Sequence, residues 1–109
     1  MAKNHEVPEV SEKEFESFTK KGIVLIDFFA EWCMPCVMMA PVIDELSEKF
    51  SGKIKFGKVN VDDNQKLSQK FSVFSIPSFI IFKEGKITDK LVGSVSSEEL
   101  EEKLEGYLK

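Results

Sequence analysis

Ile23-Val24-Leu25-Ile26-Asp27-Phe28-Phe29 leads directly into Ala30-Glu31-Trp32-Cys33-Met34-Pro35-Cys36. The first seven residues are β-branched and aromatic, and apolar at both parities. A strand with one wet face alternates, whereas a strand covered on both faces does not. This stretch therefore reads as a central strand with helices on either side. From 33 to 50 the period becomes helical, with Val37, Ala40, Ile43, Leu46 and Phe50 three or four residues apart. Pro41 lies inside that run, where a kink is expected because proline cannot donate to the helix ladder.

Outward from this centre the elements follow in turn. Ser11 and Glu14 have capping-box spacing ahead of Phe15 and Phe18, and Gly22 ends that short helix. A second strand covers 54–61. Asp62 and Asp63 can cap a helix carrying Leu67 and Phe71. A third strand, 78–82, turns through 83–86 into a fourth, 87–92, with Gly85 where positive φ is needed. Ser96 and Glu99 form another capping box before Leu100, Leu104, Tyr107 and Leu108, the apolar stripe of a terminal helix. The order is helix, strand, helix, strand, helix, strand, strand, helix. Strand-helix-strand units imply parallel neighbours and the late hairpin an antiparallel one, so the class is α/β with a mixed sheet.

Composition narrows function. The chain has 109 residues, room for one domain, with 42% hydrophobic and 31% charged residues, as in ordinary globular proteins. The net charge of −4 argues against nucleic acid or an anionic membrane as partner. All 15 basic residues are lysines, so the bidentate arginine clamps common in phosphoryl chemistry are missing. The one histidine, His5, lies near the amino terminus, and any Cys-His or Ser-His-Asp site would have to recruit it, which disfavours nucleophilic hydrolysis. Residues 1–6 lead into no apolar h-region, and the longest apolar run falls far short of the roughly 20 residues of a membrane span. These features point to the cytoplasm.

The two cysteines stand two residues apart at a helix start, which lets the sulfurs meet in a small ring. Unpaired N–H groups and the positive end of the helix dipole favour thiolate there, and thiolate is the nucleophile of disulfide exchange. Pro35 falls in the first turn, where it removes no intrahelical bond. Other readings stay open. A zinc site would need four ligands, and this chain offers two cysteines and one remote histidine. A structural staple closing so short a loop gains little. Two inert core thiols are the third alternative. Redox chemistry fits the spacing best.

Asp27 is a carboxylate in an otherwise apolar strand, so desolvation should raise its pKa. It reaches a strand end or a water, or it serves as general acid/base for Cys36, a role favoured by its place six residues before Cys33. Lys58, in the neighbouring strand pattern, could tune Asp27 or simply snorkel to solvent. Pro77 after Ile76 suits the first position of a buried strand.

The stretch from Asp27 to Cys36 closely resembles the thioredoxin family. The likeness continues through Ala40-Pro41, Lys58-Val59-Asn60-Val61-Asp62, Ile76-Pro77-Ser78, Phe82-Lys83-Glu84-Gly85 and Val92-Gly93, over nearly the whole chain. It implies one thioredoxin domain over 1–109, with a central mixed sheet flanked by helices on both faces. It further implies a monomeric dithiol–disulfide oxidoreductase that needs no cofactor or metal. On this likeness Cys33 is the exposed nucleophile and Cys36 the more buried resolving thiol, deprotonated with help from Asp27. Disulfide-containing proteins would be the substrates, and a thioredoxin reductase would recharge the pair. Ile76–Pro77 would be cis and face the cysteines, its backbone pairing with an extended substrate. Trp32, Met34, Ile76, Pro77, Val92 and Gly93 would form a flat apolar docking patch.

Four positions depart from the family's habit. Met34 stands where glycine is usual, Phe29 where many members carry tryptophan, Val37 where lysine is common, and Ser78 for threonine. Three rivals follow. An oxidase or isomerase on the same fold often has histidine between its cysteines, and a glutaredoxin-type role calls for cationic side chains at the rim. The third is a binding module that grips a partner through the patch, which would survive loss of both cysteines.

Overall fold

The computed structural model describes residues 7–109, so His5 and the polar start of the chain lie outside it. Among the described residues the elements alternate as α1 (Phe15–Thr19), β1 (Ile23–Phe29), α2 (Met34–Lys49), β2 (Lys55–Asn60), α3 (Gln65–Lys70), β3 (Ser78–Lys83), β4 (Lys86–Val92) and α4 (Ser97–Gly106). The four strands form one sheet in the order β2-β1-β3-β4. β1 is interior, and its five central residues are all buried.

The two parities of β1 serve two cores. Leu25 packs with Met39, Ile43, Leu46 and Phe50 of the α2 region and with Leu100 and Leu104 of α4. Val24, Ile26 and Phe28 pack on the other side with Phe15 of α1, Leu67 of α3 and strand residues Val59, Ile80 and Phe82. Phe15, Phe71 and Phe82 sit there with ring centroids 5.2–5.7 Å apart, two of the three pairs edge-on. Such aromatic pairs add about 0.5–1.5 kcal/mol each beyond their buried area. This is the doubly covered strand that the apolar run predicts.

β1 and β2 run parallel, while β1–β3 and β3–β4 are antiparallel. The expectation of parallel neighbours from each strand-helix-strand unit therefore holds for β1-α2-β2 and not for β2-α3-β3. α3 has only six residues, about 9 Å against a strand of about 20 Å, and the 61–77 connection does not cross back along the sheet. β3 consequently starts beside Phe28, at the end of the sheet where β2 stops.

Other expectations shift locally. In the first turns of α2 the buried side chains are Cys36 and Met39, whereas Val37 and Ala40 face out. Positions 36–40 are all apolar or sulfur-bearing, so periodicity does not choose the face. α2 is one helix through Pro41. Asn64, not Asp62 or Asp63, is the residue before α3. Ser11 gives its N–H and hydroxyl to the Glu14 carboxylate, while Ser96 accepts the Glu99 N–H at 3.0 Å. Leu108 lies beyond the end of α4 and is exposed. The β3–β4 turn takes positive φ at both Glu84 and Gly85.

The amino-terminal segment adds to the outer edge of β2. Glu9 bridges Lys58 in parallel, with Lys58 N–H donating to Pro8 O at 3.0 Å and Val10 N–H to Lys58 O at 2.8 Å. Gly57 is required there: a Cβ would stand 2.7 Å from a Phe18 ring carbon and 2.8 Å from a Val10 methyl.

Candidate active site

β1 ends, the chain turns through Ala30-Glu31-Trp32, and α2 begins at Met34 with Cys33 as its N-cap. Cys33 N–H donates to Ala30 O at 3.2 Å, and Val37 N–H closes the first helical bond to Cys33 O at 3.1 Å. In place of the usual cap oxygen, the Cys33 Sγ accepts the Cys36 N–H at 3.3 Å. Pro35 occupies the first turn, where no carbonyl awaits its missing N–H. Cys33 and Cys36 are joined as a disulfide with Cα atoms 5.3 Å apart.

Both cysteines are buried, at 5% and 6% exposure, with Ala30 beneath them and Phe29, Val61 and Ile76 packed around. The expected contrast between an exposed Cys33 and a buried Cys36 is thus not present in the disulfide form. The ring holds both sulfurs against the same floor. What separates them is the N–H aimed at Cys33 Sγ, which favours a negative sulfur at that position.

Asp27 sits in register with Lys58 on β2 and Phe79 on β3. By parity it faces the side of the sheet that α2 covers. It is buried, and its Oδ1 has no hydrogen-bond partner among the described residues. Burial pushes its pKa up from 3.8 to about 7; the positive charge of Lys58 opposes that shift and the negative charge of Asp44 adds to it. Lys58 forms no ion pair with Asp27 within 4 Å; its ammonium lies 5.5 Å from the Phe29 ring centroid.

The Ile76–Pro77 bond is cis, as the family likeness implies. Ile76 packs against the cysteine cluster, and its backbone N–H and carbonyl have no partner among the described residues. Gly93, at φ 91°, donates its N–H to Pro77 O at 2.7 Å, and Val92 pairs with Ser78, so the end of β4 meets this loop. Of the residues expected to form the docking patch, Trp32, Met34 and Val92 are exposed and Ile76 and Gly93 half-buried. Pro77 is the exception, since it is buried and offers backbone rather than surface.

Three residues near the site escaped sequence reasoning. Asp62 accepts the Trp32 indole N–H at 2.9 Å. Phe74, two residues before Ile76, is 86% exposed. Met38 is exposed beside Val37. Phe74 follows Phe71 and Val73, which both pack inward, so apolarity alone gave no sign of it. No group of three or more potential metal ligands occurs among the described residues, and no helix there is long and apolar enough to cross a membrane. The reactive bond available is the disulfide itself.

A family model described as Thioredoxin matches residues 6–106. The chain belongs to the thioredoxin family. Thioredoxins of Staphylococcus aureus strains Mu50 and MW2 are each 41% identical to it over 102 residues, covering 94% of this chain and 98% of theirs. Among solved structures, a point-mutant thioredoxin from Halobacterium salinarum NRC-1 is similar with a TM-score of 0.88 and 31% identity, over 100% of this chain and 96% of that one. Family membership together with the paired cysteines makes the chain a protein dithiol–disulfide oxidoreductase, of a family typically recharged by a reductase. Disulfides are accordingly its general class of substrate.

Proposed function

We propose that the chain is a single-domain, monomeric, cytoplasmic reductant of protein disulfides, recharged by a thioredoxin reductase. Neither nucleic acid nor membrane takes part. In the reduced state the Cys33 thiolate attacks one sulfur of a substrate disulfide. A new S–S bond forms, the substrate bond breaks, and one substrate thiolate leaves. Cys36 then gives its proton to Asp27, directly or through one water, and attacks the Cys33 sulfur. The second substrate thiolate departs, and the Cys33–Cys36 disulfide remains, carrying the two electrons' worth of oxidation that the substrate lost.

The observation that carries this reading is the Cys36 N–H directed at Cys33 Sγ at the start of a sixteen-residue helix. It supports Cys33 as the sulfur that holds negative charge. Asp27 suits proton transfer because a carboxyl with a pKa of about 7 is divided between its two forms in neutral solution. The exposed apolar rim and the Ile76 backbone, which has no partner among the described residues, suit an extended, partly apolar substrate segment. Trapping tests the assignment. Cys36→Ser should accumulate a mixed disulfide between Cys33 and a protein substrate, and Cys33→Ser should not; the reverse pattern would exchange the roles.

A further inference from the structure

The chain carries four methionines, and three of them fall in the first half of α2: Met34, Met38 and Met39. They are not equivalent. Met34 and Met38 are 66% and 71% exposed, whereas Met39 is buried at 6% in the core beneath β1. Positions four apart lie one above the other on a helix, so both open thioethers share a face. That face begins at the residue immediately after Cys33. We propose that Met34 and Met38 are a paired oxidation site for hydroperoxides, and that forming their sulfoxides weakens docking of protein disulfides while leaving exchange at Cys33–Cys36 intact.

The chemistry is self-contained. The thioether sulfur attacks one oxygen of hydrogen peroxide, an S–O bond forms as the O–O bond breaks, and hydroxide takes the proton to leave as water. Methionine is oxidised by two electrons to the sulfoxide, and peroxide is reduced by two. The disulfide form already holds both cysteine sulfurs in a bond, so the thioethers are the open sulfurs of this face. A flexible apolar side chain becomes a polar one with a strong acceptor, which a dry interface must desolvate. The modification is reversible by methionine sulfoxide reductases. Here the altered residues border the reactive bond without belonging to it.

This inference rests on the docking role given above to the apolar rim, and the test separates the two. Disulfide-form protein is treated with hydrogen peroxide, reduced with dithiothreitol, and assayed in single turnover against insulin and against hydroxyethyl disulfide. Peptide mass spectrometry should find about 16 Da added at Met34 and Met38 well before Met39. The insulin rate should fall about five-fold or more, with the small-disulfide rate held within about two-fold. M34L/M38L protein should keep its own untreated insulin rate after the same exposure. Sulfoxides without a selective loss on insulin, or Met39 oxidised as readily as its neighbours, would overturn the inference. Equal loss on both disulfides would also overturn it, by placing the damage in the exchange chemistry. An untreated chain that reduces the small disulfide but not insulin would overturn the docking reading itself, and this inference with it.

Discussion

Asp27 costs the fold stability that an uncharged residue in its place would not. Its folded pKa of about 7 lies above the ordinary 3.8, so the native state holds that proton more firmly than the unfolded chain does. The favourable contribution is complete below about pH 3.8 and is lost as pH rises through about 7. Above that, the gap between the two pKa values corresponds to a penalty of about 4 kcal/mol, at about 1.36 kcal/mol for each pH unit. Asp27→Asn should therefore gain stability over the parent as pH increases from about 4 to about 8, by up to about 4 kcal/mol. Urea midpoints at three pH values would show it, and a gap that stays constant with pH would contradict the buried ionisation. The same variant should lose the step near pH 7 in the rate of Cys36 attack; an unchanged profile would leave Asp27 a structural polar. The anomaly of Asp27 is plain in the sequence, because a lone carboxylate interrupts an apolar strand. The equal burial of Cys33 and Cys36 is not, since ring closure over Ala30 depends on three dimensions.

At the scale of elements, close approach decides more than propensity does. β2 lies under both α1 and the amino-terminal segment, and the gap at Gly57 leaves no room for a side chain. Gly57→Ala should lower unfolding stability by about 1–3 kcal/mol, the usual penalty of overpacking. A urea titration with no shift would mean that Phe18 and Val10 yield freely. The element order follows from hydrophobic periodicity, with the boundaries of the buried strands and of α2 within about a residue. What periodicity lacks is handedness of placement. It does not record that the 61–77 connection makes no full crossover, so the direction of β3 is invisible along the chain. Nor does it place residues 7–10, which join β2 through backbone hydrogen bonds while Val7 and Val10 enter the two cores. In positions 36–40 every side chain is apolar or sulfur-bearing. There the anchoring of Cys36 at the disulfide, not the pattern, turns Met39 in and Met38 out.

For the whole molecule, the sheet gathers at one end the groups that disulfide exchange needs. β1 delivers the cysteine turn, β2 delivers Asp62 to the Trp32 indole, and the start of β3 with the end of β4 brings Ile76, Pro77, Val92 and Gly93 beside it. The helix start supplies the N–H that favours a negative Cys33 sulfur. No separate cofactor enters this scheme, because the electrons are held in the cysteine pair. Met34 and Val37 are exposed beside the cysteine pair and leave this arrangement in place. The central claim is that the pair works as an electron donor to protein disulfides. Its most direct test is the equilibrium potential of Cys33–Cys36 in defined thiol buffers, followed by Trp32 fluorescence. The account predicts a reversible two-electron couple near the roughly −270 mV general among thioredoxins. A potential at or above about −180 mV, the range of isomerases and oxidases, or no reversible couple at all, would contradict it.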